Sequence, residues 1–137
     1  MHFVALLCAG IFTGAAVYIS LVQQPAAREA GVAARLFPAM YARAAPMQAS
    51  LALLGSLCGL LAGVTGSAGG ASIVGALLLF AVVPYTLIRI KPVNDALNDP
   101  ARDPDADDTL ALLDTWGRLH HLRSVAGGLA FLCFLAG

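Results

Sequence analysis

Trp116, His120 and Arg123 are spaced i, i+4 and i+7, which sets an indole, an imidazole and a guanidinium on one face of a helix. His121 points about 100° away around the same helix. A neutral imidazole can take a proton or ligate haem iron, and an arginine that follows it into an apolar run wants an anionic partner or a cavity. The same spacing also suits an interfacial belt, with tryptophan at the headgroups and arginine snorkelling to phosphate. A second polar set lies in PYTLIRIKPVNDAL, residues 84–97. Pro84 removes a backbone donor, Tyr85 and Thr86 offer hydroxyls beside it, Pro92 is expected to close the helix, and Asn94 to follow in a loop. Arg89 and Lys91 read as topology-setting cations. Thr13, Tyr18 and Ser20 on one apolar run with Gln24 and Pro25 at its exit, and Tyr41 and Arg43 before the next, which is expected to start at Pro46 and carries Gln48 and Ser50, complete the polar inventory.

These residues need elements to hold them, and the elements are apolar. The chain has 137 residues, 59% hydrophobic and 12% charged, with a mean hydropathy of +0.80. A soluble domain of this size cannot hide that much apolar surface. Four runs, residues 3–22, 47–66, 71–90 and 119–136, approach the roughly 20 residues that cross a hydrocarbon core. The expected fold is therefore all-α, a single integral membrane four-helix bundle with the lipid bilayer as its partner. The first run lacks a basic leader and is too long for a cleaved signal, so it is read as a retained helix. The acidic stretch DPARDPDADD breaks structure, and Asp107 or Asp108 is placed to cap the last helix, which then runs straight into the membrane.

Net charge is zero and no basic tract exists, so nucleic-acid binding has no support. Cys8, Cys58 and Cys133 lie inside apolar runs without a CxxC pair, which argues for packing rather than metal or disulfide chemistry. No acidic residue lies within a span to carry coupled protons. Arg28, Arg35 and Arg43 lie between the first and second runs, and Arg89, Lys91, Arg102 and Arg118 lie between the third and fourth or at their ends. The positive-inside rule makes both basic loops cytoplasmic and puts both termini outside. Gly55, Gly59 and Gly63, and likewise Gly10 and Gly14, repeat every four residues and suit either bundle packing or a homo-oligomer face. Tyr18 shares the Gly14 face, which is expected to be buried against a partner helix.

One asymmetry joins these observations. Tyr18, Gln24, Tyr41, Gln48, Tyr85, Asn94, Trp116, His120 and Arg123 all fall in the half next to the basic loops, while the other half is apolar or small. A polar pocket between those helix ends is the expectation.

FTGAAVYISLVQQPA, FPAMYARAAPMQAS, PYTLIRIKPVNDAL and WGRLHHLR, in that order, resemble the anthrone oxygenase-like family of small four-helix membrane proteins. The family's motif positions fall on Tyr18, Pro25, Tyr41, Pro84, Tyr85, Asn94, Trp116, His120 and Arg123. The resemblance implies O₂-dependent oxidation of the anthrone type without fixing the substrate; a small hydrophobic aromatic or quinol-like one is expected, and because its electron-rich anion can react with O₂ directly, no cofactor is required. His120 would act as base, Arg123, Asn94 and Tyr85 would stabilise the anion, and Trp116, Tyr18, Tyr41 and Gln48 would hold the ring system. Two other readings use the same residues: haem bound by His120 or His121, and a non-catalytic membrane subunit that packs through its glycine faces.

Overall fold

A computed structural model describes all of residues 1–137. It contains four long helices: α1 (His2–Glu29), α2 (Ala33–Val64), α3 (Gly70–Leu97) and α4 (Asp107–Ala136). Each is long and apolar enough to cross a membrane. Each packs against its sequence neighbours and α4 closes back on α1, so α1 faces α3, and α2 faces α4, across the bundle. This is the all-α membrane bundle the sequence predicts. Gly31 (φ 69°) and Gly66 (φ 73°) adopt the left-handed conformation that lets the chain leave α1 and α2 without a Cβ penalty.

The helices overrun their expected limits on the side of the two basic loops, and the prolines explain how. Pro92 does not end α3. A wide π turn at Thr86–Ile90 precedes it, in which the Lys91 N–H bonds the Thr86 carbonyl, and the helix continues to Leu97. Pro25 is handled the same way on α1, where the π turn Ile19–Gln23 lets the Gln24 N–H reach the Ile19 carbonyl. A proline ring clashes with the carbonyl one α turn back, and a turn with one extra residue moves that carbonyl aside. Pro46 does not start α2 either; it lies inside a helix that begins at Ala33. Asn94 is consequently a buried helical residue and not a loop residue. Asp107 and Asp108 occupy the first turn of α4 without capping it, and Asp108 instead accepts from Arg102 at 2.7 Å.

Small residues let the backbones approach. A methyl group added at Gly127 would lie 2.7 Å from Phe12, and one at Gly75 would lie 2.9 Å from the Ala130 carbonyl. Gly55, Gly59 and Gly63 meet side chains of α1, α3 or α4, so the small-residue face of α2 is spent inside the bundle. Gly14 meets nothing and Tyr18 is exposed, which corrects the expectation that their shared face is covered by a neighbouring helix. Ala5, Ala9, Phe12, Leu79, Ala130 and Phe134 form the apolar core of the half nearer the chain termini. A second cluster, Ala33, Phe37, Leu97 and Leu113, plugs the end nearer the basic loops.

Candidate functional site

The bundle is not filled between these two cores. A cavity of about 550 Å³ opens there, within the range of small-molecule sites. Its wall includes Tyr18, Gln24, Tyr41, Gln48, Asn94, Trp116, His120 and Arg123. The cavity is mainly apolar, with those few polar groups converging on it. The loop end is plugged, whereas Tyr18, Met47 and Leu87 on its wall are exposed on the helix flanks. The opening is therefore sideways, between helices.

Trp116 organises the wall. Its indole stacks on the His120 ring at 4.6 Å and 22°, and meets Phe37 edge-on at 5.3 Å and 89°. Phe37 in turn stacks on Tyr41 at 6.0 Å. The indole N–H donates to Asn94 Oδ1 at 2.8 Å. An indole can only donate, so this bond orients the amide: its oxygen faces Trp116 and its NH₂ is left without a partner in the chain. The helical continuation past Pro92 is what brings Asn94 to this position.

His120 is 2% exposed. Its Nδ1 lies 2.9 Å from the Ser20 hydroxyl, Ser20 lies 3.2 Å from the Ser124 hydroxyl, and Ser124 donates to the His120 carbonyl at 2.9 Å. Three contacts share three protons, and only one direction fills all of them. Nδ1–H donates to Ser20, Ser20 donates to Ser124, and Ser124 donates to the backbone. Reversing the first bond would leave only two protons for the three contacts, so either the serine pair or the Ser124–carbonyl contact would lack one. We assign the Nδ1–H tautomer on that ground. It leaves Nε2 with a lone pair and no partner in the chain, on a side chain that lines the cavity.

Arg123 lies one turn further into the helix. It forms no ion pair, its Nε is buried without a hydrogen bond, and its guanidinium sits 4.9 Å from the centre of the Phe12 ring. The chain's four ion pairs all involve other residues: Arg28 with Asp114, Arg35 with Asp105, Lys91 with Asp95 and Arg102 with Asp108. A cation near the middle of a spanning helix costs about 2.5–3.5 kcal/mol on insertion scales, and here only the Phe12 ring face, with no carboxylate, offsets part of it. Gln48 is 1% exposed and neither of its amide atoms has a partner.

The remaining sequence candidates divide. Gln24 lines the cavity but donates to the Leu113 carbonyl at 3.1 Å, so it ties α1 to α4. Tyr85 is not part of the wall. Its hydroxyl donates to the Leu119 carbonyl at 3.2 Å, so the group expected to face the site is instead spent on the α4 backbone next to His120 in sequence. Neither Tyr85 nor Asn94 hydrogen-bonds His120 itself; each holds a neighbour of it. His121 is exposed and points away from the cavity, and His2 lies at the opposite end of the bundle near Ser72. Ser124 and Phe37 are residues that the sequence did not single out for the site, and Ser20 stood out only as a polar residue of the first span, with no link to His120. Ser124 is four residues after His120 and so shares its face, a legible signal; Ser20 reaches His120 only through helix packing.

No curated protein and no solved structure matches the chain. A family model described as anthrone oxygenase matches residues 37–133, which includes Tyr41, Gln48, Asn94, Trp116, His120 and Arg123 but not Tyr18. With most of its length matched, including the residues that build the cavity wall on α2, α3 and α4, the chain belongs to the anthrone oxygenase family.

Proposed function

We propose that the chain is an oxygenase that oxidises an acidic, electron-rich aromatic CH₂ or quinol-like compound in this cavity. The observation that carries the reading is the cavity-lining His120 ring, held at Nδ1 by Ser20 and with no partner at Nε2, one helical turn from an arginine without an ion pair. A positioned base and a cation one turn away are what removal of a proton from carbon needs, because the charge then spreads onto a ring oxygen.

For an anthrone-type CH₂, His120 Nε2 removes one proton and leaves an anion delocalised onto the ketone oxygen. Arg123 and the Asn94 NH₂ stabilise that oxygen. The anion is the reductant and O₂ the oxidant. Carbon–oxygen bond formation gives a peroxide anion, which takes back the proton from His120. Loss of water from the resulting CH–OOH gives the quinone carbonyl, so CH₂ and O₂ become C=O and H₂O. The electron-rich anion reacts with O₂ directly, so this sequence requires no cofactor. Trp116 and Tyr41 provide flat apolar surfaces for the ring system. A lipid-soluble substrate enters through the lateral opening from the bilayer, with the pocket in the cytoplasmic half.

Oxygen uptake by the purified protein supplied with an anthrone tests this. Wild type consumes O₂ and releases quinone, and His120→Gln reduces the rate to the uncatalysed level. Uptake unchanged by His120→Gln would sink the reading. A Soret band in the absorption spectrum of the same preparation would instead commit Nε2 to haem iron. A colourless protein with no uptake on any aromatic would favour a non-catalytic subunit.

A further inference from the structure

Apart from the cavity-facing His120 Nε2 and Asn94 NH₂, the side-chain polar atoms fully cut off from solvent without a hydrogen bond belong to Thr13, Gln48 and Arg123. Buried polar groups in folded proteins are almost always paired, so such atoms need an explanation, and Gln48 and Arg123 share one. Counted from the loop ends of their helices, Thr13 on α1, Gln48 on α2 and Arg123 on α4 lie at nearly the same height. Gln48 and Arg123 stand on helices that face each other across the bundle, and both line the cavity. Thr13 sits beside the α4 backbone at Gly127, one turn beyond Arg123. Gln48 and Arg123 therefore form one layer of the cavity wall, one helical turn beyond the Trp116–His120 stack, and Thr13 packs next to it at Gly127 without lining the cavity.

The layer has a definite chemistry. Arg123 brings a fixed positive charge and a planar fork of donors. Gln48 brings an amide that is 1% exposed and free at both ends. No carboxylate from the chain answers them. A half-buried guanidinium and an unpaired amide on the wall of one apolar cavity are complementary to an oxygen that is already negative in the bound ligand. We propose that Arg123 and Gln48 form an oxyanion subsite, and that the natural ligand is a planar aromatic bearing a carboxylate or an ionised phenol. The anionic oxygen lies in this layer and the rings lie against Trp116. This deepens the oxygenase reading by naming the substrate class. It adds that the charge is present on binding and does not only develop during reaction.

Trp116 is the chain's single tryptophan and lies on the cavity wall, so ligand binding can be read without turnover. The probes are 9-anthracenecarboxylate and its neutral isostere 9-anthracenemethanol, titrated against Trp116 emission in zwitterionic nanodiscs, with empty nanodiscs as the partition control. Wild type should bind the carboxylate about tenfold or more tightly than the alcohol. Arg123→Gln should bring the two affinities together by weakening the carboxylate alone, and Gln48→Leu should narrow the gap with the charge still in place. Equal affinity of the two probes for wild type overturns the proposal without any variant. So does an anion preference that survives Arg123→Gln. Oxygen is not read in this titration, so failure of the oxygenase reading would leave its result standing, and the reverse holds equally.

Discussion

Replacing Ser20 by alanine removes the one group that accepts the His120 Nδ1 proton. The change deletes a single oxygen from a buried position, so the helix and its packing should survive. The imidazole then has two courses. It can keep Nδ1–H with no partner in a site only 2% exposed to solvent, or it can move the proton to Nε2 and turn the lone pair toward the empty side of Ser20. An unpaired buried donor costs about 1–3 kcal/mol, so the second course wins by about that amount. The fraction of protein with a basic Nε2 then falls by roughly 5- to 150-fold, and kcat/KM for anthrone oxidation should fall by the same factor. Long-range ¹⁵N–¹H correlation spectra of histidine-labelled protein report the tautomer directly, with the rate measured on the same sample. Ser20→Thr keeps a hydroxyl and should restore both signals. Ser124→Ala should have a smaller effect, because Ser20 retains its oxygen as acceptor for Nδ1–H. If Ser20→Ala leaves the Nδ1–H tautomer and the rate within about twofold of wild type, the hydroxyl relay does not set the base.

Further outcomes follow from packing, pairing and topology. Asn94→Leu leaves the Trp116 indole N–H without its 2.8 Å acceptor and should destabilise the folded protein by about 1–3 kcal/mol in a detergent unfolding titration. Gly75→Val should prevent the bundle from closing, since even a Cβ there meets the Ala130 carbonyl at 2.9 Å, whereas Gly14→Ala should be tolerated because nothing lies within 4 Å. Limited proteolysis or thermal aggregation separates the two. Cysteine at Ser67, between α2 and α3, should react with a membrane-impermeant maleimide added to intact cells, and cysteine at Ala101, between α3 and α4, should not. The opposite pattern would reverse the orientation taken from the basic loops.

Much of this protein is legible in its sequence because lipid imposes simple rules. Spans must be apolar and helical since no water is present to satisfy a broken backbone, so four apolar runs determine the bundle. Scarcity makes polar residues conspicuous: Asn94, Trp116, His120 and Arg123 stand out because few others of their kind share the membrane-embedded half. Helical periodicity even places the last three on one face. The limits of the helices were not legible in the same way. A proline ordinarily predicts an end, and only the π turns before Pro25 and Pro92, held by packing against neighbouring helices, show how the chain passes them. That continuation decides whether Asn94 is a loop residue or the partner of Trp116. The roles of Tyr85 and Ser20 also waited for the tertiary structure, because rotation about a helix axis and contact between helices are set by close packing across the whole bundle. Local sequence places Tyr85 and Ser20 on their helices, and only the packing of α1, α3 and α4 turns one onto the Leu119 carbonyl and sets the other against His120 Nδ1.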